Sequence, residues 1–202
     1  QVALNAGSGI GAPGARVQTS ANILAVNNVG TGASAAFVTE ANDVSLANVN
    51  LSAGGFTVNT PNQVGGGGAY DVIVGGNALV TGPVNVGGTG STRLETTGNS
   101  IAISADIGNA LAPTTLISAS NITSTAGTVH GTEVSLSAAG DIGSTPNPIN
   151  VDAGSLNFNS PGAVTISENN NTLLSGTNTA GSLGSDAGAD TAIDHATSMR
   201  AA

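Results

Sequence analysis

Apolar and polar residues alternate along this chain in short runs, and Gly, Asn, Asp or Pro closes each run. DVSLANVNL places Val44, Leu46, Val49 and Leu51 on a strand that shifts phase once. GFTVNT offers Phe56 and Val58, YDVIVGG offers Val72 and Val74, NSIAISADIG offers Ile101 and Ile103, and EVSLSAAGDIG offers Val134 and Leu136. NPINVDAGSLNFNSPGAVTIS holds three such pairs: Ile149/Val151, Leu156/Phe158 and Val164/Ile166. A period of two over three to six residues predicts a half-buried strand. No 3.6-residue period persists for three turns in the first 175 residues, so the expected chain is all-β and built of many short strands.

The runs repeat. VALNAGSGIGAPGARVQTSANILAV (2–26) aligns without a gap on VSLSAAGDIGSTPNPINVDAGSLNF (134–158). Leu4 meets Leu136, Ile10-Gly11 meets Ile142-Gly143, Val17 meets Ile149 and Leu24 meets Leu156. A looser copy between them carries Ile107-Gly108. Short strands with one apolar face form no core alone; stacked coils do. The expectation is a right-handed parallel β-helix, a β-solenoid over 1–174, followed by a less regular tail over 175–202. With roughly 20 to 30 residues per repeat unit, the first 174 residues make about six to eight coils.

Gly9, Gly11 and Gly14 also spell G-x-G-x-x-G. The aligned copy keeps only the Ile-Gly pair, with Asp141 and Pro146 in place of the outer glycines, and no helical pattern follows. A phosphate cradle needs the strand, all three glycines and the helix. The expected role of the pair is therefore a corner: the Ile turns inward, and the Gly takes φ > 0 or lets the next coil pass close by.

Composition supports a narrow column. Aromatics are 2%, so the core must be aliphatic, and the 7% of charged residues suits stacked turns in which like charges would repel. That aliphatic content, regularly placed, argues against a disordered Gly/Ser-rich chain. Three Arg (Arg16, Arg93, Arg200) and no Lys face twelve Asp and Glu, for a net charge of −9. Nucleic acid and anionic membrane surfaces are therefore not expected partners. No run of 18 apolar residues predicts a membrane span, and no signal peptide is visible. Cysteine is absent, which removes disulfides and thiolate metal sites. The start at Gln1 suggests a processed product or a piece of a longer chain.

The block VSLSAAGDIGSTPNPINVDAGSLNFNSPGAVTIS resembles the repeat of filamentous-haemagglutinin-like adhesins, the large β-strand-repeat proteins of Gram-negative bacteria. The likeness rests on Val134/Leu136, Ile142-Gly143, Pro146/Pro148, Ile149/Val151, Leu156/Phe158 and Gly162/Val164/Ile166, and residues 43–98 fit only in general character. It implies a secreted parallel β-helix serving as a stalk or fibre at the bacterial surface. Expected partners are further coils of the same chain, identical subunits stacked end to end, or a host or cell-surface glycan or protein.

Candidate chemistry is sparse, and no cofactor is expected. GGGGAYDVIV (65–74) approaches the calcium nonapeptide through Gly66, Gly67, Asp71 and Ile73, but Ala69 replaces a required Gly and a single copy supplies half a site, so Asp71 is a weak metal candidate. Asp106 and Asp141, at corners the repeat makes equivalent, could form a carboxylate pair for polysaccharide chemistry; turn-forming is the plainer role. His130 and His195 lack metal-ligand spacing, and the sequons at 50–52, 121–123 and 170–172 arise by chance in such a chain. A binding face would come from loops at 27–36, 60–70 and 86–92. The tail sequence DTAIDHATSMRAA suits a short helix with Asp190 as N-cap and Ile193 and Met199 toward a surface.

Overall fold

A computed structural model describes residues 1–30, 32–53, 56–168, 172–183 and 199–201. These residues form a β-solenoid of about eight turns with no helix among them. Apart from one hairpin and one tight turn, every strand pairing is parallel. Each turn, or level, has three faces in chain order, and each face stacks on the same face of the next level.

On the third face the inward column runs Val17, Val38, Val72, Leu94, Leu116, Leu136, Phe158. All but Val17 at the amino-terminal end are buried. The first face stacks Leu24, Leu46, Val80 and Ile103, flanked by Val44, Ala78, Ile101, Ile122, Ile142 and Val164. The second face stacks Val84, Ile107, Val129 and Val151. Third-face strands such as Tyr70–Val74 and Thr114–Ser118 alternate buried and half-buried residues, as the period-two reading requires. Most neighbouring levels lie 20 to 23 residues apart, while Ile149 and Ile166 are 17 apart and Ile10 and Ala36 are 26 apart. The step from Asp43 to Asn77 takes 34.

That long step contains the hairpin. Val49–Ala53 pairs antiparallel with Phe56–Thr60. Val44, Leu46, Val49 and Leu51 are therefore not one strand: Val44–Leu46 stays in the column, and the phase shift marks where the chain leaves it. The hairpin folds back over Ile23–Asn28, where Ala25, on the outward side, is fully buried, and Asn5 donates to Thr60 Oγ1 at 3.1 Å. Asn62 closes the gap where the chain returns: its Oδ1 accepts from Val26 N–H and from the hydroxyl of buried Tyr70, and its Nδ2 donates to Ala47 and Leu24 carbonyls. Burial drives the Tyr70 hydroxyl pKa far up, so it stays a donor.

The gapless alignment is not the register of the column. Leu4 stands on the second face beside Val26, whereas Leu136 stands on the third between Leu116 and Phe158. Ile10 bridges Ala36 on the third face, but Ile142 lies between Ile122 and Val164 on the first. Val17 belongs to the third face and Ile149, beside Ile166, to the second; Leu24 belongs to the first and Leu156, beside Val134, to the third. All three faces draw on the same aliphatic and small residues, so letters match across faces: Leu4 and Ile10 are displaced by one face from their counterparts, and Val17 and Leu24 by two. The hairpin then moves the true offset away from the apparent one.

The Ile-Gly corner itself holds at all three copies, each on a different face. Ile10, Ile107 and Ile142 are buried, and Gly11, Gly108 and Gly143 have φ of 66°, 84° and 69°. A Cβ on Gly11 would come within 2.6 Å of the Phe37 carbonyl oxygen on the next level. On Gly108 and Gly143 it would collide with the His130 and Thr165 carbonyls, again one level on. Stacking continues past 174: Asn178–Ala180 pairs with both Ile149–Asn159 and Met199–Ala201, and Ser182–Leu183 pairs with Ala163–Val164. The expected boundary at 174/175 thus falls inside the stack, and Met199 lies in a strand rather than a helix. Asp190, Ile193 and His195 lie outside the described residues, as does part of the 170–172 sequon.

Gly143→Ala should destabilise the column by about 2 kcal/mol or more, because it adds both a disfavoured φ and a backbone collision. Gly14→Ala, with nothing within 4 Å, should be nearly neutral. Urea unfolding followed by circular dichroism compares the two.

Candidate functional site: a loop ridge on one corner

The corner between the second and third faces carries a loop at successive levels: 29–35, 65–69, 85–91 and 109–113 in the second to fifth levels. At the sixth and seventh levels the loop disappears, because Val129–Ala138 and Ile149–Asn159 run around the corner as single strands. The three loops expected to set a binding face are therefore brought together as neighbours, with a fourth beside them.

Asparagines close these loops from below. Asn28 Nδ2 donates to the Ser34 and Ala35 carbonyls. Buried Asn85 accepts from Val64 N–H through Oδ1 and donates to Gly90 O and Thr92 Oγ1 through Nδ2. Asn109 donates to the same Gly90 carbonyl and accepts from Leu111 N–H. Gly67 N–H reaches Thr89 Oγ1 in the neighbouring loop at 2.8 Å. Held this way, the loops present Val29, Val86 and Leu111, which are 58%, 41% and 71% exposed. These residues escaped sequence reasoning although a signal existed: Asn-Val-Gly occurs at 28–30 and again at 85–87.

Asp71 is occupied otherwise than a calcium ligand would be. Its Oδ1 accepts from Arg16 at 2.8 Å and Arg93 at 3.0 Å, and Arg93 also pairs with Glu95. Arg16 lies over the Phe37 ring, 5.7 Å from its centroid, and donates to the Val38 carbonyl. One carboxylate thus ties the first level to the third and fourth. Glu95 and Asp71 raise the Arg93 pKa against the opposing effect of burial.

Asp106 and Asp141 do not stand at equivalent corners. Asp106 precedes the second face and caps Thr128 N–H at 3.0 Å; Asp141 precedes the first face two levels on and caps Ala163 N–H at 2.7 Å. Asp141 belongs to a ladder in which each side chain accepts the N–H one level up: Asp43 from Asn77, Asn77 from Ser100, Ser100 from Asn121, Asn121 from Asp141. Hydrogen bonds from Asn77 lower the Asp43 pKa below 3.8. His130 Nδ1 meets Asp152 Oδ2 at 3.2 Å, an outward pair between adjacent levels. No group of three His, Cys, Asp or Glu suited to a metal ion occurs among the described residues.

No family model, curated protein or solved structure matches this chain.

Two outcomes follow from this geometry. Asn85→Ala should destabilise by about 3 kcal/mol, since it strands several buried polar groups, and should loosen 85–91 in hydrogen exchange before the sheets. The Asp43 carboxyl should titrate below 3.8 by NMR. Its contribution to stability is present above the ordinary carboxyl range and is lost as pH falls through the lowered value.

Proposed function

We propose that this chain is a structural and adhesive segment of a secreted bacterial cell-surface fibre, a stiff rod without catalytic activity. The carrying observation is the stack itself: strands pair in parallel level upon level around one continuous aliphatic core. Val2, Leu4 and Val17, in the first described level, belong to the inner columns and are half-buried. Val2–Ala6 and Val17–Thr19 carry no charge or Pro of the kind that guards exposed strand edges. Strand edges of this composition suit another level of the same kind.

The mechanism in this reading is mechanical. Interlevel backbone hydrogen bonds point along the axis, so tension loads the bonds of three faces together. The capping ladder from Asp43 to Asp141 adds side-chain bonds in the same direction. The resemblance of residues 134–166 to haemagglutinin-like repeats, the low charge and the aliphatic core support the same role.

Antibodies raised against the purified chain should label intact, unpermeabilised cells of the source organism, with immunogold along surface fibres. Label appearing only after permeabilisation would refute the assignment. The uncharged edge strands Val2–Ala6 and Val17–Thr19 also favour a second reading, a subunit of a non-covalent filament. In that case the free chain lengthens into rods one column wide as concentration rises, and Leu4→Lys, which puts a charge on the edge strand, slows growth at least about tenfold. A wild-type chain that stays short at every concentration removes the filament reading and leaves the segment of a longer rod.

A further inference from the structure

We infer that the loop ridge is a side-by-side contact between two copies of this chain, packed antiparallel. This goes beyond the rod reading, which concerns the ends of the column. Loops 29–35, 65–69, 85–91 and 109–113 contain no ionisable residue, in a chain of net charge −9. Two such rods repel wherever their acidic corners meet. This ridge is a surface along which they can approach without that cost, and it carries three exposed aliphatic side chains, Val29, Val86 and Leu111.

The ridge is also pre-organised. Asn28, Asn85 and Asn109 hold the loop backbones, so little ordering entropy is lost when the loops are covered. A neutral ridge is complementary to itself, which makes a second copy the fitting occupant.

Direction follows from the charges at its limits. Glu133, exposed, stands on the same corner at the sixth level. The first-level loop at this corner, 7–9, carries no charged residue, and Arg16, in the bulge before Val17, is turned toward Asp71. Parallel packing in register would set Glu133 against Glu133. Antiparallel packing centred on the four loops sets Glu133 against the partner's first-level loop, which has no acid. It also places Leu111, at the fifth level, opposite Val29 of the partner subunit, at the second. These positions lie three levels apart on one rod, roughly 14 Å. Three exposed aliphatic side chains are far fewer than the roughly 20 to 30 residues a side of a standard interface, so weak association is expected.

Sedimentation equilibrium up to about 1 mM should show a closed monomer–dimer equilibrium rather than open-ended growth, with a Kd above the micromolar range. Leu111→Asp, at a side chain outside the core, should weaken it at least about tenfold while circular dichroism stays unchanged. The chain has no cysteine, so Val29→Cys and Leu111→Cys variants report direction. Under mild oxidation their mixture should cross-link several-fold faster than either alone. A monomer throughout, an unaffected Leu111→Asp variant, or cross-linking of Val29→Cys with itself as fast as the mixture would each overturn the proposal. Growth that Leu4→Lys abolishes and Leu111→Asp leaves intact would assign association to the ends instead, against this contact.

Discussion

Backbone hydrogen bonds directed along the column axis set a rise of about 4.8 Å from level to level, and every other feature of this molecule is a way of tolerating that spacing. A side chain meets its counterpart from the next level at that distance, inside and outside the column. Inside, the workable solution is aliphatic on aliphatic, as in the column from Val38 through Leu94 and Leu136 to Phe158. At the corners, backbone must pass over backbone, and Gly11, Gly108 and Gly143 lie beneath carbonyl oxygens that leave no room for a Cβ. At the turns, a short acceptor such as Asn121 or Asp141 takes the N–H of the level above, which otherwise lacks a partner.

The same constraint explains where the column departs from regularity. Extra residues must leave the column for register to hold on both sides: residues 11–16 bulge out between Ile10 and Val17, which stack on Ala36 and Val38, and the longer insertion of the third level leaves as a hairpin. Its return needs a substitute for the missing strand bonds, and Asn62 and Tyr70 supply it from within the core. The clamp of Asp71 with Arg16 and Arg93 crosses the same region on the outside, joining levels on either side of the interruption. The single Tyr and two of the three Arg thus gather around the interruption.

Variation is free only where loops leave the stack. The corner between the second and third faces accepts loops at four levels and none at the next two, so one edge of the rod is a ridge and then a smooth strand bend. Loops held by buried asparagines are stiff, and their exposed aliphatics are therefore surface features with a fixed position. This separation sets a uniform column, which presents backbone groups along its strand edges, against a variable edge, which presents side chains.

By itself the sequence determined the class of fold. Alternation with period two, small residues at corners and a near absence of aromatics leave stacked short strands as the arrangement that buries the apolar residues. The Ile-Gly corner was legible for the same reason, since its geometry is local: an inward Ile and a Gly with φ > 0. Register was not legible. Leu4 and Leu136 share a letter context but stand on different faces, because three faces built from the same alphabet cannot be told apart along the chain, and only the interlevel hydrogen bonds decide which residue lies above which. Likewise, the phase shift at Val49 read as a flaw in one strand and is the root of a hairpin. The exposed ridge needed tertiary structure altogether. Val29, Val86 and Leu111 are ordinary aliphatics in sequence, and what sets them apart is that the stack brings four separate loops onto one corner and leaves their tips in water.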